Sequence, residues 1–265
     1  MFVIELQCPE EEQDLLVAEL WERGSAGITQ TSDSLRSFFH DDSLLPGLLA
    51  DFAHLSPESS PVLEEDWIGY SRAQTGPMEV GDRLFLAPEW RDDPTPEGRL
   101  RIGINPGLAF GTGAHETTRM CLEWLEEHIK PGVRLCDVGT GSGILSEAAL
   151  MLGAGRIVAC DVDPIAAQIA KTNIARAGGN ALVYTGSVNA IAAGSADLLI
   201  ANISPDWVYA LAREWLRVLA PGGRGFLSGF DESDLPPVKT ALLKANLRIL
   251  DTRGENAWRG IEISA

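Results

Sequence analysis

The 265-residue sequence predicts an α/β fold: a Rossmann-like, mostly parallel sheet with a small α+β domain in front of it. The main observation is a regular alternation of short apolar runs and helical segments after Arg101, since parallel strands need a crossover, usually a helix, to join them. A glycine-rich turn directly after the first of these strands is the second observation. Apolar residues make up 45% of the chain, a fraction typical of folded globular proteins.

The first 64 residues predict the small α+β domain. Phe2, Ile4 and Leu6 alternate with other side chains, which predicts a strand over residues 2–7. A segment with leucines at helical spacing follows and stops at Gly24. Further strand and helix patterns complete the domain at residues 28–30, 35–39 and 44–55, before a break rich in Ser and Pro at 56–61.

Residues 65–98 predict a linker. This segment is rich in Trp, Pro, Gly and paired acids, and it contains one short apolar run at residues 84–87. Proline and glycine interrupt regular structure, so we expect little of it here. The larger domain is therefore predicted to span residues 99–265.

The larger domain predicts a seven-stranded sheet. Five buried strands alternate with helices, and the strands are expected at residues 133–138, 156–161, 181–184, 198–203 and 225–228. The helices between and after them are expected at residues 142–152, 164–177, 206–219 and 232–245. Two more strands, 248–252 and 257–263, have no helix between them, so the last strand is predicted to run antiparallel as a hairpin partner.

The charge balance disfavours one class of partner. Thirty-eight acidic residues against 21 basic ones give a formal net charge of −17. Direct binding of DNA or RNA is not expected, because phosphate contacts need clustered Lys and Arg. Solubility alone explains an acidic surface, and steering of a basic protein substrate explains it too. Both interpretations stay open at this point.

The amino-terminal residues 1–6 carry no basic segment followed by an apolar run, so no signal peptide is expected. Every apolar stretch is interrupted before it reaches the length of a membrane span. We therefore expect a cytoplasmic protein without membrane contact, and a monomer. The four cysteines, Cys8, Cys121, Cys136 and Cys160, have no zinc-site spacing, so reduced structural thiols and no metal are expected.

A glycine-rich turn marks the candidate cofactor site. A buried strand ends at Val138, a turn that contains Gly139, Gly141 and Gly143 follows, and a helix is expected to begin near Ser142. Glycines let the backbone approach a ligand closely, and a helix amino terminus favours a carboxylate or a phosphate. Taken alone, the pattern fits an ordinary tight turn about equally well.

An acid at the end of the next strand narrows the choice. Asp161 lies 22 residues after Gly139, where a carboxylate can bind ribose hydroxyls. The loop is G-x-G-x-G rather than the G-x-G-x-x-G of nicotinamide enzymes, which favours S-adenosylmethionine, a cofactor without pyrophosphate. Asp137, just before the turn, either contacts the methionine portion or only braces the loop.

The segment 105–119, with the sequence NPGLAFGTGAHETTR, carries a family resemblance. It resembles the signature of the ribosomal protein L11 methyltransferase (PrmA) family. The glycine turn, the Asp-Val-Asp-Pro turn at 161–164 and the Leu-Ile-Ala-Asn run at 199–202 follow in that family's order. The amino-terminal domain and the linker also look like the family, although less specifically.

The resemblance implies a class I methyltransferase domain for catalysis and an amino-terminal domain that holds a ribosomal protein. It implies that the cofactor is contacted by Thr118, Gly139, Gly141, Asp161 and Asn202, and that Phe110 and Thr112 cover its methionine end. Asn202 is the catalytic residue that it implies, because its side-chain oxygen would orient the attacking amine. Trp207 either adds an aromatic wall near the acceptor or belongs to the core.

The Thr117 and Thr118 hydroxyls can bind a carboxylate, and the alternative is that they cap the helix that starts there. His115 is interpreted as ordering its loop rather than as a general base. Two positions depart from the family pattern: Ala114, where a second His is common, and Ser204-Pro205 after Asn202-Ile203. Both lie near the acceptor side, so they affect the identity of the substrate rather than the cofactor.

Together these features predict an S-adenosylmethionine-dependent protein N-methyltransferase that modifies lysine or amino-terminal amines of a large-subunit ribosomal protein. One alternative is a related lysine methyltransferase acting on another protein, such as an electron-transfer flavoprotein subunit. Another is a catalytically silent module that binds the cofactor as a structural ligand.

Overall fold

The computed structural model describes residues 2–9, 13, 16–17, 19–20, 23–25, 27–31, 33–61, 76–105, 115–176, 178 and 181–265. The chain divides into two compact units, Met1–Gln74 and Thr75–Ala265. The domain boundaries expected at residues 64 and 98 stay predictions. Phe110, Thr112 and Ala114 lie outside the described residues.

The first unit is built on an antiparallel four-stranded sheet in the order β2-β3-β1-β4. Its strands are β1 (Phe2–Gln7), β2 (Gly27–Gln30), β3 (Ser34–Phe39) and β4 (Glu58–Pro61). Helix α1 (Leu45–Asp51) lies between two 3-10 turns, Asp42–Leu44 and Ala53–Leu55. The alternation in β1 is confirmed, since Phe2, Ile4 and Leu6 are buried in the core. Strand β4 was not predicted, because all four of its residues are exposed and leave no apolar pattern.

The second unit begins with a small three-stranded sheet of β5 (Met78–Val80), β6 (Leu84–Pro88) and β7 (Leu100–Ile104). Two of these strands fall within the segment predicted as a linker. All five residues of β6 are buried, and its leucines join the core next to Trp124. The apolar run at 84–87 therefore signalled a packed strand.

The main sheet has seven strands in the order β10-β9-β8-β11-β12-β14-β13. Its strands are β8 (Arg134–Val138), β9 (Arg156–Asp161), β10 (Ala181–Thr185), β11 (Ala196–Asn202), β12 (Leu219–Asp231), β13 (Arg248–Glu255) and β14 (Trp258–Ser264). The first five in that order pair in parallel, and β14 runs antiparallel to both neighbours. The predicted carboxy-terminal hairpin is confirmed.

Helices cover both faces of this sheet. They are α2 (Glu116–His128), α3 (Ile144–Leu152), α4 (Pro164–Arg176), α5 (Pro205–Ala210), α6 (Ala212–Val218) and α7 (Leu235–Lys244). One core cluster centres on Trp124 and Phe226, and the other on Trp215 and Leu227. The described helices include none with the length and apolar character that a bilayer span requires.

The prediction of one helix over residues 206–219 is wrong. The backbone leaves helical geometry at Leu211, with φ −98° and ψ 7°, so two short helices form. The buried indole of Trp215 donates a hydrogen bond to the Val208 carbonyl over 3.2 Å. A side chain thus bonds a carbonyl close to the break, a contact that apolar spacing cannot reveal. Strand β12 is also much longer than the predicted residues 225–228.

Candidate cofactor and acceptor site

A cavity of about 260 Å³ lies where β8, β9, β10 and β11 end. This is the edge at which parallel sheets bind their ligands. The cavity is lined by all the predicted site residues that the structure describes, namely Thr118, Gly139, Gly141, Asp161 and Asn202. The fold therefore gathers residues that are 84 positions apart in sequence, as the hydrogen bond between Asn202 and Thr118 shows.

The turn after β8 requires glycine. Gly139, Gly141 and Gly143 have φ values of +71°, +55° and +85°, a region that other residues rarely adopt. At Gly139 a Cβ atom would lie 2.2 Å from Cγ2 of Ile203. Gly229 on β12 approaches the same residue, because its Cβ would lie 2.3 Å from the Ile203 carbonyl oxygen. The residue after Asn202 is therefore held between two glycines.

Asp161 is held rigidly at the end of β9. Its Oδ2 accepts a hydrogen bond from Gly141 N over 2.9 Å, and its Oδ1 accepts one from Asp163 N over 3.0 Å. Each carboxylate oxygen can accept a further hydrogen bond. The two hydroxyls of a ribose would find acceptors here, and the glycine turn fixes where those acceptors stand.

Asp137 braces the turn from beneath. It is fully buried and does not line the cavity. Its Oδ2 accepts hydrogen bonds from the Thr140 hydroxyl at 2.7 Å and the Ser146 hydroxyl at 2.6 Å. Burial raises the pKa of the Asp137 carboxyl to about 6. Of the two interpretations of Asp137, these contacts favour bracing.

Helix α2 presents Thr118 to the cavity. The helix is capped by His115, whose Nδ1 accepts a hydrogen bond from Thr117 N over 3.3 Å. The threonines are therefore not the cap. Thr118 is 1% exposed, and its hydroxyl accepts a hydrogen bond from Nδ2 of Asn202 over 3.2 Å.

Asn202 ends β11 with one polar atom unused. Its Oδ1 is buried and has no hydrogen-bond partner among the described residues. Buried polar atoms in native proteins nearly always have a partner, so an orphan at a cavity points to a group that binds there. A carbonyl oxygen in this position accepts an N–H or an O–H.

Comparison with known proteins places the chain in a family. The model of the family described as ribosomal protein L11 methyltransferase (PrmA) matches residues 47–265. The chain belongs to this family. The ribosomal protein L11 methyltransferase of Symbiobacterium thermophilum is 42% identical over 200 residues, which cover 76% of this chain and 66% of that protein. The one from Ralstonia pickettii is 38% identical over 223 residues, covering 82% and 73%.

A solved structure agrees with the fold. The crystal structure of ribosomal protein L11 methylase from Lactobacillus delbrueckii subsp. bulgaricus matches with a TM-score of 0.66 and 30% identity, over 72% of this chain and 98% of that one. The class I methyltransferase fold and the family resemblance are thus confirmed. The matched region spans slightly less than two thirds of the first curated relatives, 66% and 65% of their lengths.

Of the two interpretations of Trp207 in this PrmA-family chain, the one that places it in the core fails. The side chain is 52% exposed and lines the cavity, so the hypothesis that it belongs to the core is wrong. Trp215, one helix later, is the buried tryptophan of that face. Pro205 occupies the first turn of α5, and the Ser204 side chain makes no capping hydrogen bond.

Sequence reasoning missed several lining residues, among them Val162 and Ser187. Val162 directly follows Asp161 and is 61% exposed, and Ser187 follows β10. An apolar residue immediately after a strand-ending acid was the available signal for Val162, since such a side chain can face only the ligand or solvent. Ser187 left no comparable pattern.

The side chains that line the cavity carry little charge. Asp161 is the one ionisable side chain among the described residues that line the cavity. In the described part of the chain no cluster of three or more His, Cys, Asp or Glu could hold a metal. All four cysteines are buried, and none of them forms a disulfide.

Proposed function

We propose that this chain is an S-adenosylmethionine-dependent N-methyltransferase that modifies lysine or amino-terminal amines of a large-subunit ribosomal protein, the protein L11 named by its family. The observation that carries the proposal is the orphan Oδ1 of Asn202, in a cavity that also holds the glycine turn and Asp161. Within the fold of a methyltransferase, an unused acceptor at this edge suits the N–H of an incoming amine.

The described residues fit the cofactor at both of its ends. The glycine turn leads into α3, whose first N–H groups and dipole favour the methionine carboxylate. At the other end, Asp161 would bind the ribose hydroxyls, and the exposed Val162 would offer an apolar face to the adenine. Thr118, Gly139, Gly141 and Asn202 complete the proposed contacts, with Phe110 and Thr112 proposed from the family pattern.

The main contribution of this chain to the reaction would be to position the reactants. S-adenosylmethionine, when bound, supplies a methyl group on a sulfonium that is already activated. Oδ1 of Asn202 would accept one N–H of the amine and so aim its lone pair into the cavity, a contribution of orientation rather than of acid or base. Nδ2 of the same side chain, bonded to the Thr118 hydroxyl, fixes which way the amide faces.

The amine must reach the site without its proton. No general base is available among the described lining residues, because Asp161 is engaged by two backbone N–H groups. Desolvation in the cavity favours the neutral amine over the ammonium, and water outside takes the proton. The proposal therefore includes a transfer rate that rises with pH toward the pKa of the acceptor amine.

The charge of the chain supports a basic protein substrate. A net charge of −17 would accelerate encounter with a cationic partner, and added salt would slow it. The same charge disfavours direct contact with nucleic acid. We place the reaction in the cytoplasm and carry forward the prediction of a monomer, which light scattering after gel filtration would check.

The proposal is tested by incubating the protein with labelled S-adenosylmethionine and ribosomal proteins stripped from unmethylated ribosomes, followed by mass spectrometry. Label on amines of protein L11 is the expected result, and Asn202→Ala should slow its incorporation strongly. Label on a different protein would support the alternative lysine methyltransferase. Tight cofactor binding without any label would leave the silent binding module as the function.

A further inference from the structure

Trp207 is a costly side chain to leave in water. It is 52% exposed at the cavity, whereas Trp124 and Trp215 of the same unit are fully buried. A tryptophan carries one of the largest apolar surfaces of any residue, so an exposed one in a cavity points to a partner that covers it. Exposed tryptophans of this kind are frequent centres of binding energy.

The wall of the cavity leads from Asn202 outward to Trp207. Thr118 is 1% exposed and the Asn202 Oδ1 is buried, whereas Ser204 and Trp207 are exposed. The backbone between them is fixed, because Pro205 opens α5 and Trp207 N donates to the Ser204 carbonyl over 3.1 Å. The buried floor of the cavity thus contains Oδ1 of Asn202, and its exposed mouth contains the indole of Trp207.

We propose that Trp207 is an acceptor-binding residue that packs against the aliphatic stem of the lysine being methylated. This inference rests on the proposed function. An amine that reaches Asn202 draws four methylene groups past the mouth, and lysine stems pack on apolar surface while the nitrogen lies elsewhere.

The proposal gives Trp207 a role that differs from that of Val162. Val162 follows the ribose-binding Asp161 and belongs with the cofactor, whereas Trp207 follows Asn202 on the acceptor side. Loss of the indole should therefore weaken the acceptor and leave the cofactor unaffected. It should also remove the preference of the site for long, unbranched amines over short ones.

The test compares Trp207→Ala, Trp207→Phe and the control Leu243→Ala, which removes an equally exposed apolar side chain on α7. The acceptors are two peptides that differ at one residue, a lysine or the short-stemmed 2,3-diaminopropionate. We expect Trp207→Ala to raise KM for the lysine peptide about tenfold or more. It should shift KM for the short-stemmed peptide little, and Trp207→Phe should recover most of the loss.

Calorimetry supplies the second measurement. S-adenosylmethionine should bind the wild type, Trp207→Ala and Leu243→Ala with the same Kd, and the melting temperatures should agree. A raised cofactor Kd with an unchanged acceptor KM would overturn the inference and assign the indole to the nucleoside. Equal KM values in all three proteins would overturn it too.

Binding without turnover separates this inference from the proposed function. A dimethyl-lysine peptide is titrated into the protein loaded with S-adenosylhomocysteine. If the peptide binds, Trp207→Ala weakens that binding and the protein transfers no methyl group, the acceptor role of Trp207 would stand and the proposed enzymatic function would be rejected. If methyl transfer is the same in the wild type and in Trp207→Ala, the enzymatic function would stand and the acceptor role of Trp207 would be rejected.

Discussion

Two polar regions of the second unit differ in how completely their groups are paired. Along the seam between α2 and the carboxy-terminal hairpin, the guanidinium of Arg253 donates to both oxygens of Glu127 at 2.8 and 2.5 Å, and Arg119 pairs with Glu255. At the carboxyl edge of the sheet, by contrast, Asn202 keeps a buried oxygen unused. The paired charges of the seam hold the fold, whereas the unused oxygen of Asn202 belongs to a residue that lines a cavity. The other buried unpartnered atoms among the described residues, such as Trp124 Nε1 and Asp137 Oδ1, belong to residues that do not line it.

The sharpest way to break this contrast is Asn202→Ala. If its oxygen is kept for the acceptor amine, kcat should fall about 100- to 1000-fold, the size of effect seen when one positioned polar group is removed from an active site. The Kd for S-adenosylmethionine should rise much less than kcat falls, because Asn202 is one of several proposed cofactor contacts, and the melting temperature should change little. Steady-state methylation, calorimetry and thermal melts measure the three quantities. A large loss of stability with activity retained would show that the residue serves the fold.

Asp161→Ala should act on the cofactor instead. Loss of two hydrogen bonds to a charged acceptor is expected to raise the Kd for S-adenosylmethionine about 100-fold. The matched control is Asp163→Ala, because Asp163 accepts from Ile165 N at the start of α4 over 2.8 Å without lining the cavity. Titration calorimetry compares them, and equal weakening by both variants would argue against a ribose contact.

Glu147→Gln tests how a buried carboxyl with a raised pKa affects the stability of the fold. Burial raises the pKa of the Glu147 carboxyl to about 7, above its ordinary value of 4.5. A raised folded pKa means that ionisation destabilises the fold as pH rises from about 4.5 through 7, and below that window the carboxyl is neutral in both states. Glutamine should therefore stabilise the protein by about 1–3 kcal/mol at pH 8 and by little at pH 5. Urea unfolding at the two pH values measures this, and equal gains at both would refute it.

Glu127→Gln, in the paired seam, should have the smallest effect. The Arg253 hydrogen bond holds the pKa of the Glu127 carboxyl below its ordinary value. The ion pair therefore stabilises the fold above that ordinary value, and the contribution is lost as pH falls through the lowered pKa. Because both side chains are partly exposed, removal should cost about 0–1 kcal/mol at pH 7, less at high salt, with activity unchanged. A loss of methyl transfer would mean that the seam reaches the site.

Much of the fold followed from periodicity, because buried strands and helices leave different apolar spacings. The strand Arg156–Asp161 was predicted to the residue. The antiparallel closing hairpin was predicted too, although its strands are Arg248–Glu255 and Trp258–Ser264 rather than 248–252 and 257–263. The break at Leu211 lies beside the side-chain hydrogen bond between Trp215 and Val208, and the length of β12 reflects its pairing with β11 and β14. Apolar spacing reveals neither. Strands within the expected linker were missed because Pro and Gly obscured a short buried run.

Some residues of the candidate site could also be predicted from the sequence, and others could not. Gly139 and Asp161 were predictable because a turn after a strand and an acid at a strand end are local patterns. The pairing of Asn202 with Thr118, and the exposure of Trp207, exist only once the strands are placed side by side. The capping role of His115 was likewise hidden, because histidine is an unusual residue at a helix start.

Ile203 links the site to the interior of the sheet. Its side chain lies against Gly139 on one side, and its carbonyl lies against Gly229 on the other. A mutational survey scored by activity would therefore include Gly229 among the intolerant positions, although no ligand is expected to touch it. Evolution of the acceptor specificity could vary Ser204, Pro205 and Trp207, while Gly139 after β8 and Gly229 on β12, the strands on either side of β11, would keep the position of Asn202 constant.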